Sequence, residues 1–407
     1  MALKSIVIKV NSFPSVSETF IVSNIVAAID KGYKVDIITK SKKSVIASSQ
    51  EHLFKKYNLL KHTHSFKQPY KKYKRYLFGI YSLLQPVVLF YFFKYSKQNK
   101  GKRLEFLFKL QFYRRFRNSE LFHVHFATAA EEIPYLKNIG FIKSKILVTF
   151  HGYDAYFQDD IQMRVLKAKY ALLFETADVC TINTLYLKNK IEALGCPTTK
   201  IKLVPMGVDS SYYMPKNYPK SATSCNEIKL ISVGRLIELK GHEFGIRAIK
   251  LLVDKGMSIS YVVIGEGVLM NKLQALINEL ELHKQVKLLG KGSQEEIRNA
   301  LDQANLFLMT SVKDASGREE AQGVVTAEAQ AMGLPVVGFN SGGVPYTVSD
   351  ETGILVSQKN YVALAGAVEL IMEDHGKYMN MSLAARQWVV ENFDLNKMVD
   401  MYYEELV

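Results

Sequence analysis

Residues 317–337, GREEAQGVVTAEAQAMGLPVV, place two carboxylates, Glu320 and Glu328, eight positions apart on either side of Gly323. The alanine-rich part, VVTAEAQAMG over residues 324–333, predicts a helix that ends at its glycine. An apolar run, PVVGF, follows and predicts a β-strand. Gly323 would then lie at the helix start and Glu320 in the preceding loop.

The start of this predicted helix has the chemistry of an anion or hydroxyl site. A helix leaves the N–H groups of its first turn without intrahelical acceptors, and a glycine there lets a ligand approach the backbone closely. The amides of Gln322, Gly323 and Val324 are therefore predicted ligand contacts. Two carboxylates that each accept hydrogen bonds from a pair of hydroxyls suit a sugar and a ribose. The alternative is that the acidic side chains only complement the helix dipole.

Strand and helix patterns outside this stretch predict an α/β protein with two parallel sheets. Short β-branched runs recur with helical stretches between them, which is typical of βα units. The predicted strands are SIVIKV, KVDIIT, LFHVHF, ILVTF, DVCTIN and IKLVP in the first half, and IKLISV, YVVIG, VKLL, NLFLM, PVVGF and GILV in the second. Two Rossmann-like domains would face each other across a cleft at the carboxyl ends of these strands, where open α/β sheets bind ligands.

A break in this periodicity separates the two halves. Residues 213–227, YMPKNYPKSATSCNE, combine two prolines with a cluster of Ser, Thr, Asn and Lys, and this composition predicts a linker. We therefore predict one Rossmann-like domain over residues 1–210 and a second over residues 211–390. Residues 391–407 are predicted to form a closing helix that packs back on the first domain.

Length, composition and cysteine use restrict the class of protein. At 407 residues, 48% hydrophobic and 23% charged, the chain can form two globular domains with cores of their own. Its cysteines, Cys180, Cys196 and Cys225, are scattered, which argues against a disulfide framework and against a zinc site. The first residues, MALKSIVIKV, alternate like a strand and lack the features of a signal peptide. We therefore expect a cytoplasmic location.

Basic residues and glycines follow the strands of the second half. In SVGRLIELKGHEF, Arg235 and Lys240 lie on a loop that opens the next helix, where a guanidinium fork and an ammonium can neutralise a diphosphate from two sides. The alternative is an ordinary solvated basic loop. In VIGEGVLM, Gly265 and Gly267 allow a ligand close to the backbone, although GxG alone is a weak indication. The stretch LLGKG repeats this pattern and adds Lys291 as a nucleotide contact.

The order of these motifs resembles the retaining glycosyltransferases of family 4, which have the GT-B fold. Their pattern of G-R-x(4)-K-G, G-x-G and E-x(7)-E with a downstream G-G-x-P is met by GRLIELKG, GEG, EAQGVVTAE and GGVP. The stretches FPSVSETFIVSNI, HVHFA and TFHGYDAY further resemble the subset that builds bacterial exopolysaccharides such as colanic acid and amylovoran. The sequence departs from the family pattern in two places: PSVSET replaces a Gly-Gly loop, and Tyr346 replaces an acid after G-G-x-P.

The resemblance implies a role for each motif residue. Glu320 would hold hydroxyls of the transferred sugar, and Glu328 would hold the ribose of the nucleotide. Arg235 and Lys240 would clamp the leaving diphosphate. His151, in TFHGYD, matches the family histidine beside the reacting sugar, and its alternative is a purely structural histidine. The first domain would bind the acceptor and the second the nucleotide sugar.

The implied reaction uses neither a protein nucleophile nor a metal ion. Front-face attack, with the departing phosphate taking the proton of the acceptor, would retain configuration while basic side chains and amides neutralise charge. The sequence has no Asp-x-Asp at a strand end to hold a divalent ion. We expect no cofactor, and we expect a nucleotide-diphosphate sugar as donor, with UDP preferred over GDP.

Two other classes of protein stay open at this point. One is a nucleotide-sugar epimerase of similar fold, which would release free UDP without transfer to an acceptor. The other is a non-catalytic basic protein, binding membranes or nucleic acid, with a decayed enzyme domain. The intact Arg235, Lys240, Glu320 and Glu328 argue against decay.

One segment carries the formal net charge of +14. From Lys55 to Arg117 the chain has 17 Lys and Arg residues against the single acid Glu105. Within it, the stretch 71–117 contains an apolar run, residues 77–93, with basic residues on both sides. This run is shorter than the about 20 residues that span a bilayer. Such a run framed by basic residues suits the headgroup region of an anionic membrane. The alternative is that these are covered helices with a solvated basic rim.

The predicted partners follow from this segment and from the resemblance. We expect peripheral attachment to the inner face of the cytoplasmic membrane and a glycan or lipid-linked glycan as acceptor. No stacking platform or recognition helix is evident in the sequence, so we expect no nucleic-acid partner.

Overall fold

Two units make up the structure, each built on one sheet. A computed structural model describes residues 4–15, 19–44, 50–98, 103–220, 227–404 and 406. The first unit comprises Met1–Ile182, Lys190–Lys202 and Met401–Val407, and the second comprises Asn183–Asn189 and Leu203–Asp400.

The sheet of the first unit has seven strands in the order β3-β2-β1-β4-β5-β6-β7. The central pairs are parallel, and Ile6 of β1 lies opposite both Val35 of β2 and Leu121 of β4. Helices cover such a sheet on both faces, which explains the continuous apolar runs of its inner strands. The strands are β1 (Ser5–Phe13), β2 (Lys34–Lys42), β3 (Thr63–His64), β4 (Leu121–His125), β5 (Lys145–Phe150), β6 (Val179–Ile182) and β7 (Ile201–Leu203).

The helices of the first half connect these strands, and α8 is divided between the two units. They are α1 (Thr19–Asp30), α2 (Glu51–Lys56), α3 (Lys72–Leu83), α4 (Pro86–Gln98), α5 (Arg103–Tyr113), α6 (Ile133–Asn138), α7 (Asp160–Thr176) and α8 (Leu185–Ala193).

The sheet of the second unit has six strands in the order β10-β9-β8-β11-β12-β13, and its pairs are parallel. The strand order reverses between β8 and β11, and open α/β sheets bind ligands beside such a switch point. The strands are β8 (Ile228–Val233), β9 (Ile259–Ile264), β10 (Val286–Leu288), β11 (Leu306–Met309), β12 (Val336–Phe339) and β13 (Gly353–Val356).

Helices of the second half bury apolar residues at helical spacing. Ile246, Ile249 and Leu252 of α9, for example, lie in one core with Tyr261 of β9. The helices are α9 (His242–Asp254), α10 (Met270–Glu279), α11 (Gln294–Gln303), α12 (Val324–Ala331), α13 (Tyr361–Met372), α14 (His375–Asn392) and α15 (Leu395–Tyr403).

The predicted strands are all present, and α12 matches the predicted helix after Gly323. The two-residue β3 has no counterpart among them. The apolar run over residues 77–93 forms two helices, α3 and α4, bent by 101° at a break before Pro86. Among the described residues, no single helix is long and apolar enough to cross a membrane, whereas this bent pair passes by length and composition together.

The boundary between the units lies earlier than the predicted linker. The second unit already includes Leu203, and residues 213–220 pack on it. Tyr213 is buried, and the Lys220 ammonium donates hydrogen bonds to the carbonyl oxygens of Leu301 and Ala304. Composition suggested a linker here because the prolines remove periodicity, but packing does not require periodicity. The rest of the predicted linker, residues 221–226, lies outside the described residues.

The end of α15 belongs to the first unit, where the closing helix was expected to pack. The Tyr403 hydroxyl donates a hydrogen bond to Asn24 of α1 and lies 2.8 Å from the His123 ring on β4. Cys180 and Cys196 are buried free thiols, while Cys225 lies outside the described residues.

Candidate functional site

The loop that carries Glu320 is held by the two glycines of GGVP. The Gly343 amide donates a hydrogen bond to the Glu320 carbonyl at 2.7 Å. A Cβ at Gly342 would lie 2.3 Å from the Glu320 carbonyl oxygen, and a Cβ at Gly343 would lie 1.8 Å from that of Ala321. Only glycine allows this approach, so the motif fixes the loop before α12.

A second contact locks the loops that follow β8 and β11. The Thr310 hydroxyl donates to the Lys240 carbonyl at 2.8 Å. Gly241 has φ +57°, and a Cβ there would lie 2.1 Å from the Thr310 carbonyl oxygen. Because β8 and β11 are neighbours, the lock brings the basic loop to the Glu320 loop.

The Lys240 ammonium lies 2.5 Å from Glu320 Oε2, and both side chains are about 15% exposed. The Ser311 hydroxyl donates to the same oxygen at 3.2 Å. Burial alone would raise the pKa of Glu320, but the charge and hydrogen bond of Lys240, the Ser311 bond and the Arg235 charge lower it on balance. Glu320 is therefore ionised at neutral pH.

Arg235 and Ser311 also act on the Glu320 carboxylate, Arg235 through its charge and Ser311 through a hydrogen bond. Arg235 is exposed on the loop after β8, and of the groups that lower the Glu320 pKa it contributes least. Ser311 was not predicted, although a polar residue that follows a buried strand, as Ser311 follows β11, is a usable signal.

The glycines of VIGEGVLM face the chain's own backbone. A Cβ at Gly265 would lie 1.8 Å from the Gly234 carbonyl oxygen, and a Cβ at Gly267 would lie 2.4 Å from that of Leu236. Packing between the loops after β8 and β9 therefore explains both glycines without a ligand. Lys291, on the loop after β10, is exposed.

At the start of α12, some groups are used by the fold and others stay available to a ligand. Gly323 has φ +78°, a backbone conformation that L side chains rarely adopt, so the backbone here favours glycine. The buried Gln322 side chain accepts from the Met206 amide at 2.8 Å and donates to its carbonyl at 3.0 Å. That side chain is bonded within the fold and is not available to a ligand, while the amides of Gln322, Gly323 and Val324 stay predicted ligand contacts.

Glu328 lies one turn into α12. Burial raises the pKa of its carboxyl to about 7, and a hydrogen bond with Tyr213 opposes this rise. Tyr213 lies in the segment predicted to be a linker, so its contact with Glu328 was not foreseen. The carboxyl is balanced between its acid and its ionised form at neutral pH.

His151 lies in the first unit, at the end of β5. Its amide donates to Asp154 Oδ1 at 3.0 Å, and its ring Nε2 lies 3.1 Å from Nδ1 of His125 on β4. Burial lowers the pKa of both histidines, so both rings are neutral. The predicted position of His151 beside the reacting sugar stays a prediction. Among the described residues, no group of three or more His, Cys, Asp and Glu side chains is arranged to hold a metal ion.

Comparison with known proteins identifies the family. The model for Glycosyltransferase Family 4 matches residues 17–212, and that for Glycosyl transferases group 1 matches residues 215–388. A putative colanic acid biosynthesis glycosyltransferase of Escherichia coli, WcaL, is 30% identical over 87% of each chain. The chain belongs to glycosyltransferase family 4.

Other relatives of this glycosyltransferase agree with the assignment. The amylovoran biosynthesis glycosyltransferase AmsK of Erwinia amylovora is 29% identical over 94% of each chain. The crystal structure of HepE from Anabaena with UDP and glucose superposes with a TM-score of 0.71 over 99% of both chains, at 16% identity. This likeness shows that the glycosyltransferase has the GT-B fold.

The pKa of Glu328 predicts how donor binding depends on pH in this glycosyltransferase. If ribose hydroxyls donate to the ionised carboxylate, the proton must leave before the donor binds. We therefore expect affinity for a nucleotide sugar to rise about tenfold from pH 6 to pH 8 as one group with a pKa of about 7 ionises. Calorimetry with a nucleotide sugar suits the test, because its diphosphate diester does not titrate in this range.

The matched variant for this test is Glu328→Gln, which keeps the shape of the side chain and removes its titration. Its affinity should be low and independent of pH between 6 and 8. His242, which also lies in the second unit, does not interfere because burial lowers its pKa to about 4. An unchanged affinity in Glu328→Gln would exclude the ribose role.

Proposed function

We propose that this glycosyltransferase moves a sugar, with retention of configuration, from a nucleotide-diphosphate sugar to a lipid-linked glycan in the synthesis of a bacterial exopolysaccharide. The relatives named for colanic acid and amylovoran biosynthesis support a role in exopolysaccharide synthesis. UDP is the preferred nucleotide, since the GT-B relative HepE binds UDP and glucose.

The contact between Lys240 and Glu320 carries the proposal. In a sugar diphosphate, the phosphate is attached to the same ring that bears the hydroxyls, so groups that bind the two must lie side by side. Here an ammonium and an ionised carboxylate are 2.5 Å apart beside the switch point of the sheet. A bound donor would place its phosphate at Lys240 and its sugar hydroxyls at Glu320.

The charges of these residues suit transfer by front-face attack. The bond from the anomeric carbon to the phosphate oxygen breaks, the bond to the acceptor oxygen forms on the same face, and the acceptor proton passes to the departing phosphate. Lys240 and Arg235 would neutralise the charge that develops on the diphosphate. Because the pKa of Glu320 is lowered, its carboxylate stays ionised. It would accept hydrogen bonds from the sugar hydroxyls and donate no proton.

A donor and acceptor screen tests the proposal. Purified protein is first screened by thermal shift against UDP and GDP sugars, and the donors that bind are then incubated with lipid-linked glycan acceptors. We expect nucleoside diphosphate release that depends on the acceptor, and a product whose anomeric configuration by NMR matches that of the donor. Conversion of the donor to an epimer without an acceptor, or an inverted product, would contradict the proposal.

The membrane part of the proposal rests on an exposed apolar surface of α3 and α4. Seven large apolar side chains there are 56–72% exposed, although covered helices would have buried them. Exposed lysines, including Lys71, Lys72 and Lys74, surround the start of α3. We call this the hairpin surface: Tyr73, Tyr76, Leu77, Ile80, Leu84, Phe90 and Phe93. It would lie in the inner leaflet and bring a lipid-linked acceptor to the enzyme.

We expect the protein to sediment with vesicles of anionic lipid and to bind them more weakly, but still measurably, at high salt. Each basic residue near an anionic surface contributes about 1 kcal/mol, so replacing three lysines should weaken binding by about 100-fold at low salt. The apolar contribution is not screened by salt. The charge variant changes Lys71, Lys72 and Lys74 to Gln, and the apolar variant changes Leu84, Phe90 and Phe93 to Ser.

Matched variants in the second unit separate a local effect from a general one. Three exposed lysines there, Lys284, Lys287 and Lys359, are changed to Gln, and three exposed apolar residues, Val362, Leu370 and Leu383, are changed to Ser. Both should bind vesicles like the wild type. Wild-type protein that stays in the supernatant at low salt would exclude attachment and favour an acceptor free in solution.

A further inference from the structure

The first unit contains a cavity of about 320 Å³ that no residue of the donor site lines. It lies between α4, α5 and the segment that follows β4, and small-molecule sites begin at about this volume. Its lining residues are Tyr95, Glu105, Phe106, Lys109, Glu131, Glu132 and Tyr135.

Ion pairs balance the charged groups around the cavity. Among the described residues, its charged lining groups are Glu105, Glu131, Glu132 and Lys109. Ion pairs join the carboxylates to Lys9, Lys40 and Lys109. The three lysines balance the three carboxylates, so the lining offers no net attraction to a phosphate or to a lipid headgroup of negative charge. A neutral ligand that donates hydrogen bonds fits these carboxylates.

Buried groups hold these carboxylates in place. The Tyr113 hydroxyl donates to Glu132 Oε1 at 2.6 Å, and the buried Lys9 ammonium donates to the same hydroxyl at 2.9 Å. Burial alone would raise the pKa of Glu132, but the charges of Lys9 and Lys109 and the Tyr113 bond lower it on balance. Glu132 is therefore ionised and oriented before a ligand arrives.

Aromatic faces complete the lining. The Tyr95 ring is stacked on the Phe106 ring with centroids 3.5 Å apart, and Tyr135 on α6 is 49% exposed. A sugar ring has an apolar face that packs on an aromatic ring, and its hydroxyl pairs donate to carboxylates. The combination of Tyr135 with Glu105 and Glu132 matches both features of a sugar.

We propose that this cavity binds a neutral sugar unit of the acceptor glycan. The inference deepens the proposed function and rests on it. Helix α4 supports the assignment because it carries Phe90 and Phe93 of the hairpin surface as well as Tyr95 of the cavity. A sugar bound here lies within one helix length of the lipid to which the glycan is attached.

Binding of simple glycosides tests the cavity without any transfer reaction. The probes are the methyl glycosides of glucose, galactose, mannose and fucose, followed by saturation-transfer NMR on the full-length protein, with inorganic pyrophosphate as an anionic competitor. We expect at least one glycoside to bind and pyrophosphate not to displace it. Tyr135→Ala should weaken this binding about tenfold, whereas Tyr135→Phe, which keeps the ring face, should not.

The charge of the cavity is tested with a matched pair of variants. Glu105 and Lys109 form an ion pair four residues apart on α5, with 3.2 Å between their charged atoms, and Glu51 and Lys55 form the same kind of pair on α2 at 2.8 Å. Glu105→Gln should weaken glycoside binding severalfold, and Glu51→Gln should leave it unchanged. Glycoside binding that is absent, equal in Tyr135→Ala and wild type, or displaced by pyrophosphate would overturn the proposal.

Acceptor kinetics distinguish a failure of this inference from a failure of the proposed function. If the wild type transfers sugar, Tyr135→Ala should raise KM for the acceptor about tenfold while affinity for the nucleotide sugar stays the same. An unchanged acceptor KM in an active enzyme would overturn the cavity assignment alone. A wild type that binds glycosides but turns over no nucleotide sugar would instead refute the proposed function.

Discussion

Replacing Glu320 with Gln is expected to lower transfer by about 100-fold or more in a folded protein. The Glu320 carboxylate is ionised and lies 2.5 Å from the Lys240 ammonium. Gln keeps the size of the side chain, but its neutral amide forms weaker hydrogen bonds with the hydroxyls of the donor. Alanine is a poorer choice, because it leaves the largely buried Lys240 ammonium without its partner and can destabilise the unit. The measurement is kcat for transfer, together with the thermal unfolding midpoint.

The control for this variant comes from another ion pair of the second unit. Lys255 and Glu369 also have 2.5 Å between their charged atoms, and they join α9's C-terminal end to α13. Glu369→Gln should leave transfer unchanged. Turnover at the wild-type rate in folded Glu320→Gln protein would refute the assignment of Glu320 to the transferred sugar.

Lys240→Ala is expected to lower transfer by about 100-fold to 1,000-fold, since a cation beside a departing diphosphate acts where charge develops in the transition state. The hydrogen bond from Thr310 to the Lys240 carbonyl and the close approach of Gly241 to Thr310 hold Lys240 in this position. Added Mg²⁺ should not restore the activity of the variant, and wild-type activity should survive EDTA. The measurement is the rate of nucleoside diphosphate release with acceptor present, together with the thermal unfolding midpoint, because this variant leaves the largely buried Glu320 carboxylate without its partner.

Lys255→Ala is the matched control, because it removes the lysine of the other short ion pair. It should transfer sugar at the wild-type rate. If EDTA abolishes wild-type activity and a divalent ion restores it, the metal-free mechanism is wrong. Rescue of Lys240→Ala by Mg²⁺ would lead to the same conclusion.

Local patterns predicted the strands and α12 because periodicity and strand-end glycines depend on neighbours in the chain. The two-residue β3 is too short to show any period. Within the predicted linker, Tyr213 is buried and Lys220 is held by distant residues, and composition does not record such contacts. The same limit applies to Gln322, whose side chain is bound to Met206 through contacts that its own motif does not reveal.

The sequence by itself determined the α/β class, the order of the motifs and the candidacy of Arg235, Lys240, Glu320 and Glu328, because each follows from residue type and spacing near a strand end. Only the tertiary structure decided which of them meet. Lys240 and Glu320 are 80 residues apart and are joined because β8 lies beside β11. Burial, which sets the pKa of Glu328, and exposure, which reveals the hairpin surface, likewise depend on what the rest of the chain packs against each side chain.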